Sequence, residues 1–163
     1  MTYNYIRFGS IFEFGHNYLP EFLNSPKGQF DPSYIMPNLK SLVYIPKIGT
    51  DGAVDFPRFN GMSVFLCFPI IVFSLYYAAT GFGKRAVRIG LLCAALHILL
   101  IASHKTMGGY HFGNRYFADV MPCLFFILLF AKGSKKLPTL AMPLFVMGMS
   151  LNTAGVIYMI ANM

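Results

Sequence analysis

The chain has 163 residues, 56% hydrophobic and only 12% charged, about half the charged share of an ordinary soluble domain. Its formal net charge is +7 and its mean hydropathy +0.56. A water-soluble globule of this size needs more polar surface, and the basic residues sit in short loops between apolar runs rather than on one face. Composition therefore excludes a soluble domain and a nucleic-acid-binding module and points to a polytopic membrane protein.

Residues 1–60 carry five basic and five acidic residues and no apolar run of signal-peptide type. The stretch NYIRFGSIFEFGHNYLPEF is too rich in aromatics and too poor in charge for a solvated linker. Glu13 and Glu21 are its candidates for acid–base work. They stand eight apart across a Gly and a Pro, and local hydrogen bonding is the expected role. In DPSYIMPNLKSLVYIP, Asp31 is placed to cap a helix with Pro32 at its first position, and Pro37 starts that helix or interrupts its first turn. Ile35, Met36, Leu39, Leu42 and Val43 would share one face opposite Asn38, Lys40 and Ser41, which predicts an amphipathic helix lying on the bilayer interface or packed on the bundle. The segment 46–61 reads as a loop.

Four apolar runs follow, of or near the roughly 20 residues that a bilayer crossing needs: 62–81, with Pro69 a kink; 86–104; 116–131, the shortest; and 139–163. Lys84, Arg85 and Arg88 flank one connection and Lys132, Lys135 and Lys136 the other, whereas the loop between them carries only Lys105 and Arg115. Positive residues favour the cytoplasmic side, so residues 104–115 and both termini are expected outside. Nothing within residues 1–60 provides for their own export, so the sequence is expected to be a truncated or split version of a longer protein. Cys67, Cys93 and Cys123 lie inside the runs without CxxC spacing and read as small apolar fillers, not as a disulfide framework or zinc site.

The polar segment MGGYHFGNRYFADVMPCLFF opens the third run. Arg115 and Asp119 are four apart, and two readings stay open. One is a structural pair on one helical face. The other turns Arg115 outward onto an anion near a helix N-terminus, with Gly108, Gly109 and Gly113 allowing close backbone approach and His111 in reach of a phosphate or sugar. His97 lies two turns before His104, so both point along one face. For His97 an interhelical hydrogen bond is expected ahead of a substrate contact, and a metal site lacks further ligands at consistent spacing. Gly148, Asn152 and Gly155 form a small-and-polar stripe suited to close helix packing. GxSxG, Walker A, GxGxxG and HExxH patterns are absent from the sequence, so an enzyme of this design would use a lipid-carried donor.

YNYIRFGSIFEFGHNYLPEF and GGYHFGNRYFADVMPCLFF together resemble the C-terminal half of bacterial polytopic proteins of the C-type glycosyltransferase superfold. These are similar to dolichyl-phosphate-mannose–protein mannosyltransferases and related lipopolysaccharide sugar transferases. YIMPNLKSLVYI and DFPRF fit the same pattern loosely, so the likeness spans nearly the whole chain. Its most specific part is Gly113, Arg115, Tyr116, Asp119 and Pro122. The resemblance implies transfer of a sugar from a polyprenyl-phosphate donor on the extracytoplasmic face, with substrate contacts from Arg115, His111, Tyr116 and Asp119. Arg115 would meet the donor phosphate, and Asp119 would orient that arginine. Such enzymes carry an acidic residue in a first outer loop that has no equivalent here, so no catalytic base is assigned.

The sequence thus reads as an all-α integral membrane protein, multi-pass in the bacterial plasma (inner) membrane. Residues 1–60 form an extracytoplasmic aromatic-rich segment with an interfacial helix, and residues 61–163 a four-helix transmembrane region. The expected partners are membrane lipid, a polyprenyl-phosphate-linked sugar, and an upstream membrane half or a second copy of the chain. No cofactor or metal is assigned. The alternative is a non-enzymatic membrane subunit or scaffold. A small transporter is disfavoured because no broken-helix pair stands in matching halves.

Overall fold

A proline decides the first break in the helical region. Phe68, forced out of the helical range by the ring of Pro69, has φ −129° and ψ 74°, and the run 62–81 divides there. The computed structural model describes residues 1–15, 18–50, 54–55, 61–108, 111–133 and 136–161. In chain order its helices are α1 (Thr2–Phe8), α2 (Pro20–Leu23), α3 (Ile35–Ser41), α4 (Val64–Cys67), α5 (Ile70–Gly81), α6 (Arg85–Ala102), α7 (Met121–Lys132) and α8 (Ala141–Ala161). Short 3-10 turns at Pro32–Tyr34 and Tyr116–Val120 lead into α3 and α7. The segment expected as a plain loop holds a two-residue antiparallel ladder, β1 (Lys47–Ile48) with β2 (Val54–Asp55).

The chain is helical as expected, and two of its helices, α6 and α8, are long and apolar enough to cross a membrane. Only 28% and 17% of their apolar windows are buried. A helix this apolar in a soluble protein is a core helix, so these exposed faces suit lipid better than water. The other two apolar runs are shorter as helices. Residues 62–81 are divided between α4 and α5, and 116–131 between a 3-10 turn and the 12 residues of α7. Cys93, expected as an interior filler, is exposed on α6.

Helix α7 lies between α5 and α6 and packs along both, while α8 packs on α4. Small residues set the approach. Gly81 faces Ala131 and Gly90 faces Ile127, and the Ser74 hydroxyl donates to the Leu124 carbonyl at 3.1 Å. Along α8 the stripe of small residues works as packing. Gly148 admits Pro69 and Gly155 admits the Phe112 ring. Asn152 Nδ2 donates to the Cys67 carbonyl, freed by the break, at 2.9 Å and to Gly148 O at 2.8 Å.

Lys84 Nζ donates to Phe130 O at 2.8 Å, and Tyr77 Oη to Lys136 O at 2.7 Å. Both basic loops therefore lie at one end of the bundle, and the N-terminal segment docks at the other. There Asp31 Oδ1 accepts from the Ser33 N–H at 2.8 Å, with Pro32 in the first turn. Hydrogen bonding from Ser33, its side chain first and its backbone second, holds the Asp31 carboxyl below its ordinary value. Pro37 falls inside the first turn of α3.

Asn38, expected on the polar face of that helix, is buried, whereas Met36 and Val43 of its apolar face are 61% and 56% exposed. The cause is the end of α6, whose last carbonyls need donors that apolar side chains lack. Asn38 Nδ2 supplies them, bonding Ala102 O at 2.9 Å and His104 O at 2.7 Å.

Gly155→Leu drives a side chain into the Phe112 ring and is expected to cost about 1–3 kcal/mol, read as a lowered unfolding temperature in detergent. Gly83→Ala meets open space and should shift stability by less than about 0.5 kcal/mol. Equal unfolding temperatures for the two variants would contradict this packing.

Candidate functional site

The polar end of the bundle is organised around His104. Residues 29–31 run antiparallel to 103–105: Lys105 N–H donates to Gln29 O at 2.8 Å and Asp31 N–H to Ser103 O at 2.9 Å. His104 is only 5% exposed. Its Nδ1 lies 2.7 Å from the Thr106 carbonyl and 3.2 Å from the Thr106 N–H. Its Nε2 lies 3.0 Å from the Gln29 amide nitrogen. The rings of Phe22, Phe30 and Tyr116 surround the imidazole edge-on, with centroids 5.0–5.5 Å away. With both nitrogens engaged, this histidine is a structural post.

The loop into α7 is folded tightly on itself. Gly108 has φ +121°, and a Cβ there would stand 2.8 Å from His111 Cε1. His111 Nε2 accepts from the Arg115 backbone N–H at 3.0 Å. That nitrogen, expected to face a phosphate or sugar, instead caps the turn that starts α7. The buried Asn114 adds a second cap, its Oδ1 accepting from Phe117 N–H at 3.0 Å. Gly113, expected to let the backbone approach a ligand, instead lets it approach the protein: its carbonyl lies against Gly61, and its Cα side faces Cys67 Sγ and Asn152. Gly109 lies outside the described residues.

Arg115 and Asp119 are both exposed, and they do not pair. Lys27–Asp31 is the ion pair formed among the described residues. The 3-10 turn explains the separation. At three residues per turn, positions four apart point about 120° away from each other, where an α-helix would nearly align them. The Arg115 guanidinium lies 5.6 Å from the Tyr116 ring centroid. Asp119 instead lines a cleft of about 300 Å³ with Gln29, Phe30, His97, His104 and Tyr116. His97, expected to bond another helix, has no hydrogen-bond partner among the described residues, because its side of α6 faces this cleft.

A second, apolar groove of about 570 Å³ runs between α4, α5, α7 and α8, lined by Pro69, Met121, Phe125 and Phe145 among others. Cys67 and Asn152, at its polar edge, are the groups against which Gly113 packs. The groove therefore begins beneath the loop that carries Arg115.

Glu13 accepts from Gly15 N–H at 2.7 Å within a local turn, and the Glu21 side chain lies outside the described residues. Among the described residues no three of His, Cys, Asp and Glu gather as a metal set. Sequence reasoning missed Gln29, Phe30, Asn38 and Asn114. The spacing Asn114 to Phe117 is a capping signal. For Asn38 no local signal exists, since its partners lie more than sixty residues away.

Asn38→Leu leaves two carbonyls without their donor, at about 1–3 kcal/mol each. The docked segment should loosen, and trypsin should cut after Lys27 at a dose that spares the native chain. Unchanged cleavage would remove Asn38 from its anchoring role.

No protein-family model matches the chain, and no curated protein or solved structure matches it.

Proposed function

We propose that this chain binds a polyprenyl-phosphate-linked sugar at the outer face of a bacterial plasma membrane, as the lipid-phosphate-binding part of a membrane glycosyltransferase. In this reading the runs 62–81, 86–104, 116–131 and 139–163 all cross the bilayer, the first and third through their broken helices. The basic loops face the cytoplasm, and the N-terminal segment lies at the outer interface.

The observation that carries the reading is Arg115. It is an exposed guanidinium at the start of the turn that leads into α7, without an acidic partner among the described residues. A guanidinium forks onto two phosphate oxygens. The apolar groove that begins beneath the same loop offers a path for an isoprenoid chain.

The second reading, a non-enzymatic membrane subunit, is favoured by one observation: the Glu13 carboxylate is taken up by its own turn rather than presented to a cleft. Binding separates the two. Arg115→Ala should weaken polyprenyl-phosphate binding in detergent about tenfold or more, the worth of a charged hydrogen bond. Arg115→Lys should restore part of it. Unchanged affinity in Arg115→Ala sinks the donor-site reading and leaves the subunit.

Topology has its own test. In a cysteine-free background, Ser10→Cys should react with a membrane-impermeant maleimide from outside the cell, and Lys136→Cys only after lysis. The reverse pattern would place the arginine on the wrong side for an extracytoplasmic donor.

A further inference from the structure

We infer that the cleft between the N-terminal segment, α6 and the turn Tyr116–Val120 is a binding site for a single pyranose ring, held by Asp119 and His97 against Phe30 and Tyr116. This inference rests on the proposed function only for the sugar's carrier; the site itself stands on the cleft.

Three separate segments bring polar groups to one cavity of about 300 Å³, at the lower end of the range for small-molecule sites. Asp119 contributes carboxylate oxygens that accept hydrogen bonds, His97 an imidazole and Tyr116 a phenol. Neither Asp119 nor His97 has a hydrogen-bond partner among the described residues, so both are open to whatever enters in place of water. His104, with its nitrogens spent on Gln29 and Thr106, cannot turn without breaking that wall.

The chemistry of the lining selects the ligand. Among the described residues no Lys or Arg lines the cleft and a carboxylate does, which disfavours an anion. A hydrocarbon would leave Asp119 and His97 unsatisfied. An ammonium would suit Asp119 but has nothing to accept from the imidazole or phenol donors. Sugar hydroxyls both donate and accept, and the C–H face of a pyranose packs on aromatic rings such as Phe30.

Tyr116 joins this cleft to Arg115: its ring lines the cavity, and the guanidinium sits 5.6 Å from the same ring. A phosphate on Arg115 would therefore stand one residue from the cleft, the arrangement that a sugar joined to a lipid phosphate requires. A free saccharide would use the cleft alone.

The test measures binding of polyprenyl phosphate, polyprenyl-phosphohexose and a methyl hexoside to the full chain in detergent. The native chain should bind the phosphohexose lipid more tightly than the bare lipid phosphate. The ratio of those affinities should fall about tenfold in Asp119→Asn and in His97→Gln, the worth of one hydrogen bond to a charged group. In Arg115→Ala both affinities should drop while their ratio holds. The methyl hexoside should show saturation transfer that Asp119→Asn abolishes. If neither lipid binds but that saturation transfer is seen, the cleft stands and the lipid-donor reading falls. An unchanged ratio in both cleft variants overturns the sugar site, as does competition by methylammonium without competition by the hexoside.

Discussion

Helix ends and breaks that lie away from water must find a donor or acceptor within the protein. That constraint accounts for most of the long-range polar contacts. Asn38 closes the end of α6, Asn152 takes the carbonyl released at Pro69, and Lys84 closes α7. Ser74 and Tyr77 donate to carbonyls of Leu124 and Lys136. Each of these is a polar side chain spent on the backbone, and together they determine which segments meet.

The consequence for the outer end is specific. Because α6 needs Asn38, α3 must dock there, and the strand-like segment 29–31 is drawn alongside 103–105. Docking brings Gln29 and Phe30 over α6 and creates a cleft that neither element has alone. His104 stabilises the arrangement as a buried, doubly bonded ring among three aromatics. The result is a wall beside two side chains, Asp119 and His97, that have no hydrogen-bond partner among the described residues. Polar groups left facing a cavity are where a ligand gains most.

The proline break and the glycines of α8 form the second half of the architecture. Pro69 displaces the chain at Phe68, Gly148 accepts the ring, and Gly155 accepts Phe112 from the outer loop. The loop of Arg115 is thereby tied to α8 at one point and to Gly61 at another. The backbone that carries Arg115 is thereby held at a definite place relative to the groove below it.

The sequence alone determined the helical class, the Asp31 cap, an interruption at Pro69 and the packing role of Gly148, Asn152 and Gly155; of the four spans it led one to expect, two are single helices of membrane length. These rest on local periodicity, composition and the covalent limits of proline and glycine, which act within a few residues. Tertiary structure decided what lies between distant segments. It turned Asn38 inward, spent His111 on a cap, and parted Arg115 from Asp119 through a 3-10 turn that no residue pattern announces. It also grouped Asp119 and His97 with Gln29 and Phe30. Such contacts depend on which unsatisfied backbone groups come together when the chain folds, and one-dimensional spacing does not encode that.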